Sequence, residues 1–191
     1  MKLLEERILK DAEVLPGNVL KVDSFLNHQI DIALIVELAK EWKRLYEGEE
    51  ITKIVTIEAS GIGIACIAGM IFGVPVVFAK KTKSSNIGND VYVNRVTSYT
   101  HGTSYSVIVS KKFITPEDKV LIIDDFLANG SALHALIRLC KDGGAHIVGA
   151  GIAIEKSYQR GGNNIRSLGY RIESLAKIKS LSDDGTITFE D

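Results

Sequence analysis

The chain has 191 residues, the length of one compact domain, and its 46% hydrophobic and 25% charged residues are typical of a globular protein with a buried core. A formal net charge of -1 provides no overall field that would hold the protein on nucleic acid or on an anionic membrane surface. The N-terminal segment is acidic and no apolar run reaches about 20 residues, so we expect neither a signal peptide nor a membrane span, and a cytoplasmic protein.

The N-terminal part of the chain is predicted to hold two helices with an irregular connection. A first short helix ends at Pro16-Gly17, residues 20–22 follow as an extended piece, and residues 24–28 form a turn. Apolar residues then recur at helical spacing over residues 29–46, which predicts a second helix. Trp42 is expected to pack on the apolar face of that helix.

The middle of the chain alternates short apolar runs with helical segments. Helices are predicted over residues 62–72 and 131–141, the second one ending at Gly143-Gly144. The strand-like runs are residues 54–57, 74–79, 107–110, 120–123 and 147–154. Wholly apolar, β-branched runs between helices are typical of a buried parallel sheet, so the fold class is α/β.

Residues 80–105 interrupt this pattern because they are polar and basic. A long segment of this kind is often a lid or a binding loop. The alternative is an exposed hairpin, in which residues 91–93 pair with residues 104–109. The two interpretations are compatible, since a hairpin can itself be the lid.

The two cysteines, Cys66 and Cys140, are far apart in sequence and lie in apolar, helix-like segments. No spacing of metal ligands accompanies them, so neither a metal site nor a disulfide is expected. Both are predicted to be small, buried hydrophobic residues.

The first unusual strand end is Glu58-Ala-Ser-Gly61, followed by Gly63. Two glycines at the start of a helix are found in dinucleotide-binding proteins, but Cys66 stands where the third glycine of that motif belongs. The next strand also ends on two lysines, where a ribose-binding acid would be needed. A nicotinamide or flavin enzyme is therefore not indicated. Backbone amides at a helix N-terminus remain, and these favour an anion.

The second unusual strand end is residues 120–132, VLIIDDFLANGSA. Asp124 and Asp125 follow four apolar residues, and they need not chelate one ion together because consecutive strand side chains point in opposite directions. Each carboxylate can accept hydrogen bonds from a polyhydroxyl ligand or from the waters of a hydrated magnesium ion. Gly130 allows a close approach to a ligand, Ser131 is predicted as the helix N-cap, and the successive amides favour a phosphate. The lysine of a P-loop is absent, so hydrolysis of a nucleoside triphosphate is disfavoured.

This segment resembles the phosphoribosyl diphosphate signature of the type I phosphoribosyltransferases. The order of elements from residue 54 onward fits that family, and residues 20–31 and 147–157 look like the xanthine phosphoribosyltransferases within it. The resemblance covers essentially the whole chain. It implies one domain over residues 1–191, with a central parallel sheet flanked by helices and a flexible loop or hairpin over the site. A small hood is implied from approximately residues 1–35 and 155–191.

The resemblance also implies a role for each matching residue. The ribose hydroxyls of the donor are expected on the catalytic pair Asp124 and Asp125. The donor's 5-phosphate is expected on Ala128, Asn129, Gly130, Ser131 and Ala132. Its pyrophosphate is expected on Glu58, Ala59, Ser60, Gly61 and Lys81. The purine is expected on Leu20, Asn27 and Lys156.

The implied reaction transfers a 5-phosphoribosyl group from phosphoribosyl diphosphate to xanthine, giving xanthosine 5'-monophosphate and pyrophosphate. Magnesium is expected to bind with the donor, through few or no protein ligands, and the implied assembly is a homodimer. A transferase for guanine, hypoxanthine or adenine stays open, because Leu20, Asn27 and Lys156 are individually ordinary residues. A regulator that senses the donor and binds DNA would need a basic domain that this chain lacks.

Overall fold

The structure is a computed structural model and describes residues 1–81, 90–97, 104–182 and 184–190. Its α-helices are α1 (Lys2–Asp11), α2 (Ile32–Leu45), α3 (Ser60–Phe72), α4 (Ser131–Asp142) and α5 (Gly161–Ser167). Its strands are β1 (Glu13–Leu15), β2 (Val19–Lys21), β3 (Lys53–Ile57), β4 (Val76–Ala79), β5 (Val91–Thr97), β6 (Ser104–Ser110), β7 (Lys119–Leu127), β8 (His146–Lys156), β9 (Ile172–Leu181) and β10 (Ile187–Phe189). A π-helical turn spans Asp23–Asn27 and a 3-10 turn spans Lys111–Phe113.

The main sheet has six strands in the order β10-β9-β8-β7-β3-β4. Five of them are parallel, which confirms the predicted central parallel sheet, and β10 adds an antiparallel strand at one edge. The sheet is therefore mixed. Strand β7 lies between β3 and β8, so its carboxyl end falls in the middle of the sheet, where ligands of open α/β folds bind.

Helices cover both faces of this sheet. Leu121 and Ile123 of β7 pack in the core that includes α1, α2 and α3, while Val120 and Ile122 pack in the core under α4. This alternation follows from the two-residue repeat of a strand. All four residues are fully buried, which is why the segment is apolar without a break.

The predicted hairpin in the polar segment is confirmed within the described residues. Strands β5 and β6 pair antiparallel from Val91–Ser110 to Thr97–Ser104. Lys80 joins the hairpin to the end of β4 through two backbone hydrogen bonds with Ile108, of 2.9 and 2.8 Å. Residues 107–110 are thus part of this hairpin, and their prediction as a strand of the parallel sheet is wrong.

Several boundaries in the N-terminal part also differ from the predictions. Helix α1 ends at Asp11, well before Pro16, because β1 and β2 form a separate antiparallel pair. The predicted turn at 24–28 is the π-helical turn Asp23–Asn27. The second predicted helix begins at Ile32, where the Asp31 carboxylate accepts a hydrogen bond of 3.1 Å from the Leu34 amide.

Two further comparisons concern single side chains. Trp42 is fully buried, as predicted, and its indole N–H donates to the Glu173 carbonyl oxygen at 3.2 Å. Cys140 is buried, but Cys66 is exposed, so the prediction for Cys66 is wrong. Within the described ranges, no helix is both long enough and apolar enough to cross a membrane.

Gly149 on β8 lies against a buried side chain, and this contact predicts the effect of a small substitution. A Cβ on Gly149 would overlap the hydroxyl and ring of Tyr46, whose side chain is fixed by burial and by a 3.0 Å hydrogen bond to the Ala150 carbonyl oxygen. We expect Gly149→Ala to lower the free energy of unfolding by about 1–3 kcal/mol. Gly63→Ala is the matched control, because that Cβ would meet only the terminal carbon of Ile30 and alanine favours a helix. Chemical denaturation measures both, and equal losses would contradict the prediction.

Candidate active site

Two of the predicted site segments meet at the carboxyl ends of β3 and β7. Glu58–Gly61 follows β3 and opens α3, while Asp124 and Asp125 lie near the end of β7. Together with Lys81 they line one cavity of about 150 Å³. The structure therefore brings together the residues that the sequence predicts for the ribose and the pyrophosphate of the donor.

Gly61 makes this close arrangement possible. A Cβ at this position would overlap the Thr56 hydroxyl and would lie 3.1 Å from an oxygen of Asp124. The absence of a side chain lets the first turn of α3 lie directly beside the acid pair. The preceding peptide bond, between Glu58 and Ala59, is cis. The Glu58 carboxylate accepts a hydrogen bond of 2.5 Å from the Lys81 amide, which fixes the end of β4 against this loop.

The Asp124 carboxylate is 4% exposed, and this burial raises its pKa well above the ordinary value. The negative charge of Asp125 raises that pKa further, while the positive charge of Lys81 acts in the opposite direction. One carboxylate oxygen of Asp124 accepts a hydrogen bond of 3.1 Å from the Asp125 amide. Although consecutive strand side chains alternate, both carboxyl groups line the same cavity. Such a site favours a ligand that brings hydrogen-bond donors or positive charge.

The predicted phosphate loop, residues 128–132, lines an adjacent cavity of about 180 Å³. Gly130 has a φ of +84°, which favours glycine, and α4 begins at the next residue. The cap differs from the prediction, because Ser131 is already the first helical residue. The side-chain oxygen of Asn129 instead accepts a hydrogen bond of 3.0 Å from the Ser131 amide. The remaining amides of this first turn favour an anion.

Tyr105 on β6 is a residue of this region that the sequence analysis did not identify. It lines the phosphate-loop cavity, and the Lys81 ammonium lies 5.6 Å from the centre of its ring. Burial raises the pKa of its hydroxyl, and the charge of Asp124 raises it further. Tyr105 belongs to a polar segment without periodicity, so no sequence signal indicated that it faces the site.

The predicted purine residues lie at the neighbouring end of β8 and in the N-terminal segment. Lys156 ends β8, and its ammonium donates to the Asn18 carbonyl oxygen at 2.9 Å, in the turn between β1 and β2 that leads to Leu20. Burial lowers the pKa of Lys156. Leu20 is mostly buried in the core. Asn27 is exposed, and its side chain has no hydrogen bond within the described part of the chain.

Glu155, the residue before Lys156, forms an ion pair with Arg166. Its carboxylate is 2% exposed and accepts two hydrogen bonds from Arg166, of 2.7 and 2.6 Å. The Ser174 hydroxyl donates to the same carboxylate. These hydrogen bonds outweigh burial and lower the pKa of Glu155. Lys156 is therefore free of an ion pair with its neighbour.

Helix α5 packs directly on the phosphate loop. A Cβ on Gly161 would overlap the carbonyl oxygen of Ala128, and a Cβ on Gly162 would overlap the Glu155 carboxylate. The ion pair between Glu155 and Arg166 thus holds α5 against both β8 and the loop. Sequence reasoning missed this support, because the paired residues are ordinary and 11 positions apart.

A magnesium ion needs oxygen ligands, and it usually keeps several waters. Glu58, Asp124 and Asp125 supply carboxylate oxygens to one cavity. Among the described residues, no three acidic, cysteine or histidine side chains are placed to hold a metal together. The carboxylate oxygens of these residues fit the chemistry of a magnesium ion.

Comparison with known proteins identifies relatives over the full length of the chain. Residues 21–168 match the family model described as phosphoribosyl transferase domain. The xanthine phosphoribosyltransferase of Lachnoclostridium phytofermentans is 60% identical over 190 residues, covering 99% of this chain and 98% of that protein. The xanthine phosphoribosyltransferase of Finegoldia magna is 53% identical over 191 residues, covering 100% of both.

Solved structures share the fold at lower identity. Adenine phosphoribosyltransferase from Rhodothermus marinus superposes with a TM-score of 0.75 at 20% identity, covering 93% of this chain and 99% of that one. The adenine phosphoribosyltransferase of Trypanosoma brucei gives a TM-score of 0.77 at 16% identity, covering 95% and 82%. At these identities the likeness shows the fold alone.

The buried ion pair behind the phosphate loop gives a second prediction. Arg166→Met leaves the Glu155 carboxylate buried without its main partner, so we expect a loss of about 3–5 kcal/mol in the free energy of unfolding. Arg44→Met is the matched control, because it breaks an ion pair with Glu41 near the surface, worth at most about 1 kcal/mol. Adding Glu155→Gln to the Arg166 variant should restore part of the loss. Urea denaturation measures all three, and similar losses for Arg166→Met and Arg44→Met would contradict the assignment.

Proposed function

The chain belongs to the phosphoribosyl transferase family, and we propose that it transfers the 5-phosphoribosyl group of phosphoribosyl diphosphate to xanthine. The products are xanthosine 5'-monophosphate and pyrophosphate, which makes the reaction a step of purine salvage. One observation supports phosphoribosyl diphosphate as the donor: the acid pair, the loop after β3 and the phosphate loop meet at one end of the sheet. The names of relatives 51–60% identical over nearly the whole chain support xanthine as the acceptor.

In this proposal the donor spans the two adjacent cavities. The amides of residues 128–132 bind the 5-phosphate at the start of α4. Asp124 and Asp125 accept hydrogen bonds from the ribose hydroxyls. Glu58–Gly61 and Lys81 hold the pyrophosphate, since the first amides of α3 and the lysine favour its negative charge.

The chemical step is displacement of pyrophosphate from the anomeric carbon by a ring nitrogen of the purine. Positive charge develops on the ribose, and the carboxylates of Asp124 and Asp125 stabilise it. Negative charge develops on the leaving group, where Lys81 and the amides after Glu58 receive it. Magnesium, entering with the donor, would supply further positive charge to the pyrophosphate oxygens. No side chain is needed as a nucleophile.

The purine is proposed to lie between Lys156, Leu20 and Asn27. The ammonium of Lys156 already binds a carbonyl oxygen, that of Asn18, and a purine oxygen can take that place. The exposed amide of Asn27 both donates and accepts, which suits the edge of a base. This proposal gives residues 1–35 the role of a hood over the carboxyl end of β8. Residues 155–191 contribute to the hood and also supply β9 and β10 to the main sheet of a single domain.

We further propose that the protein is a cytoplasmic homodimer. Large apolar side chains are exposed on β4 and on the 3-10 turn after β6, with Phe78 at 41% and Phe113 at 47%, and both line one cavity. Neighbouring exposed residues of this kind often mark an interface between subunits. Analytical ultracentrifugation measures the assembly directly.

The acid pair gives the most direct test of the donor site. Asp124→Asn with Asp125→Asn keeps the size of both side chains and removes both charges. We expect phosphoribosyl transfer to fall by more than about 10³-fold, because the developing positive charge on ribose loses its partners. Pyrophosphate release on mixing donor and xanthine measures it. Transfer at near the wild-type rate would overturn the assignment.

The thermal stability of the single variant Asp124→Asn provides a test of folding for the buried member of the pair. Burial raises the pKa of Asp124, so the folded state holds its proton to higher pH than the unfolded chain. Between those two pKa values the unfolded chain binds fewer protons, and the stability of the wild type therefore falls as pH rises. Without ligands, Asp124→Asn should melt above the wild type at neutral pH, and the difference should vanish as the pH falls below the ordinary value of 3.8. A lower melting temperature at neutral pH would contradict this explanation.

Lys156 tests the choice of purine. Xanthine carries one oxygen more than hypoxanthine, and a lost charge-assisted hydrogen bond is worth about 1.5–3 kcal/mol. We expect Lys156→Ala to lower kcat/KM for xanthine by roughly 10- to 100-fold, with a smaller loss for hypoxanthine. Lys179→Ala, an exposed lysine on neighbouring β9, is the matched control. Equal losses with both purines would remove the selective role, and a faster reaction of the wild type with guanine, hypoxanthine or adenine would replace xanthine as the acceptor.

A further inference from the structure

A third cavity, of about 290 Å³, lies between α4, α5 and β5 beside the phosphate loop. None of the predicted roles for the donor or the purine uses its charged side chains. The polar and basic residues that line it include Asn94, Arg95, Asn129, His134, Arg138 and Asn164. None of the described residues that line this cavity is acidic.

The positive charge in this cavity is not neutralised by the described part of the chain. Among the described residues, no carboxylate oxygen lies within 4.0 Å of the side-chain nitrogens of Arg95 or Arg138. Both side chains are exposed to solvent. The nearest acid on the same helix, Asp142, accepts a long hydrogen bond of 3.5 Å from the Asn94 amide. The segments 82–89 and 98–103, which complete this part of the sequence, contain no Asp or Glu. Two arginines therefore face one cavity, and neither forms an ion pair with any of the described residues.

The arrangement of these side chains favours a phosphate group. His134 and Arg138 lie one turn apart on α4, so they share a face with Ser131 at the helix N-terminus. Arg95 faces them from β5, and a guanidinium matches the geometry of phosphate oxygens. The side-chain amides add hydrogen-bond donors. The cavity is at the lower end of the range for small-molecule sites, about 300–1,000 Å³, so a small anion fits it better than a large ligand.

We propose that this cavity is a second phosphate-binding site, separate from that of the donor, for inorganic phosphate or the phosphate group of a small ester. It goes beyond the transfer reaction, which does not require it. Asn129 and Ser131 line both this cavity and that of the phosphate loop. Occupancy of the second site is therefore linked to donor binding, and the coupling is reciprocal.

Equilibrium dialysis with labelled inorganic phosphate tests the proposal on the full chain. The variant Arg95→Gln with Arg138→Gln should bind one phosphate fewer per chain than the wild type, or bind it at least about tenfold more weakly. Lys10→Gln with Lys40→Gln is the matched control, because it removes two charges from α1 and α2, which cover the opposite face of the sheet. The control should bind phosphate like the wild type. Both arginines are exposed, so their substitution leaves the core intact. Each single variant should show a smaller loss of phosphate binding than the double variant.

Kinetics in phosphate-free buffer separate the second site from the donor site. A loss of phosphate binding with the donor KM within about twofold of the wild type supports the proposal. Unchanged phosphate binding in the arginine variant overturns it. A loss that comes with a tenfold or greater rise in donor KM also overturns it, because the cavity is then part of the donor site. Inactivity of the wild type with every purine would refute the proposed function without affecting the dialysis result.

Competition with glycerol 3-phosphate distinguishes the two forms of the ligand. If the ester displaces the arginine-dependent phosphate at similar concentrations, the site accepts a phosphate ester. If it does not, the site takes the free anion. Either result supports a phosphate site and defines its ligand.

Discussion

The four residues from Val120 to Ile123 are fully buried because β7 pairs with β3 on one edge and β8 on the other, and helices cover both faces. The polar groups of this strand are confined to its carboxyl-terminal part. Asp124 and Asp125 lie there, within β7 and shortly before its last residue, Leu127. The loop after β3 and the end of β8 emerge beside them, because parallel neighbours end on the same side. The position of the site is thus a consequence of how the core is covered.

The burial of Asp124 has opposite effects on the stability of the protein and on its proposed function. Asp124 lies far enough inside that its charged form is disfavoured, and the negative charge of Asp125 adds to that effect. A site with two neighbouring carboxyl groups is suited to a ligand that develops positive charge during the reaction. In the proposed reaction, the carboxylate that destabilises the protein alone is the group that stabilises the reacting ribose.

Helix α5 connects the two ends of the proposed site. Glu155 immediately precedes Lys156, the residue proposed to bind the purine, and its ion pair with Arg166 holds α5 in place. Gly161 of that helix lies against the phosphate loop without a side chain between them. The base end and the phosphate end therefore share one rigid support. The proposed second phosphate site lies along the same helix, which is why its occupancy is expected to affect the loop.

The sequence by itself indicated four strands of the main sheet, β3, β4, β7 and β8, with helices α3 and α4 between them, because each depends on local periodicity. Strands β9 and β10 of the same sheet were found only in the structure. Residues 120–132 carry an apolar strand, two acids and a helix start in thirteen positions, so their prediction as a donor site needed no tertiary information. Only the tertiary structure assigned residues 107–110 to a hairpin, since an apolar run does not specify its partner strand. It alone placed Tyr105 at the phosphate loop and paired Glu155 with Arg166. These contacts join residues that are distant in sequence and individually ordinary, and only the packing of the folded chain brings them together.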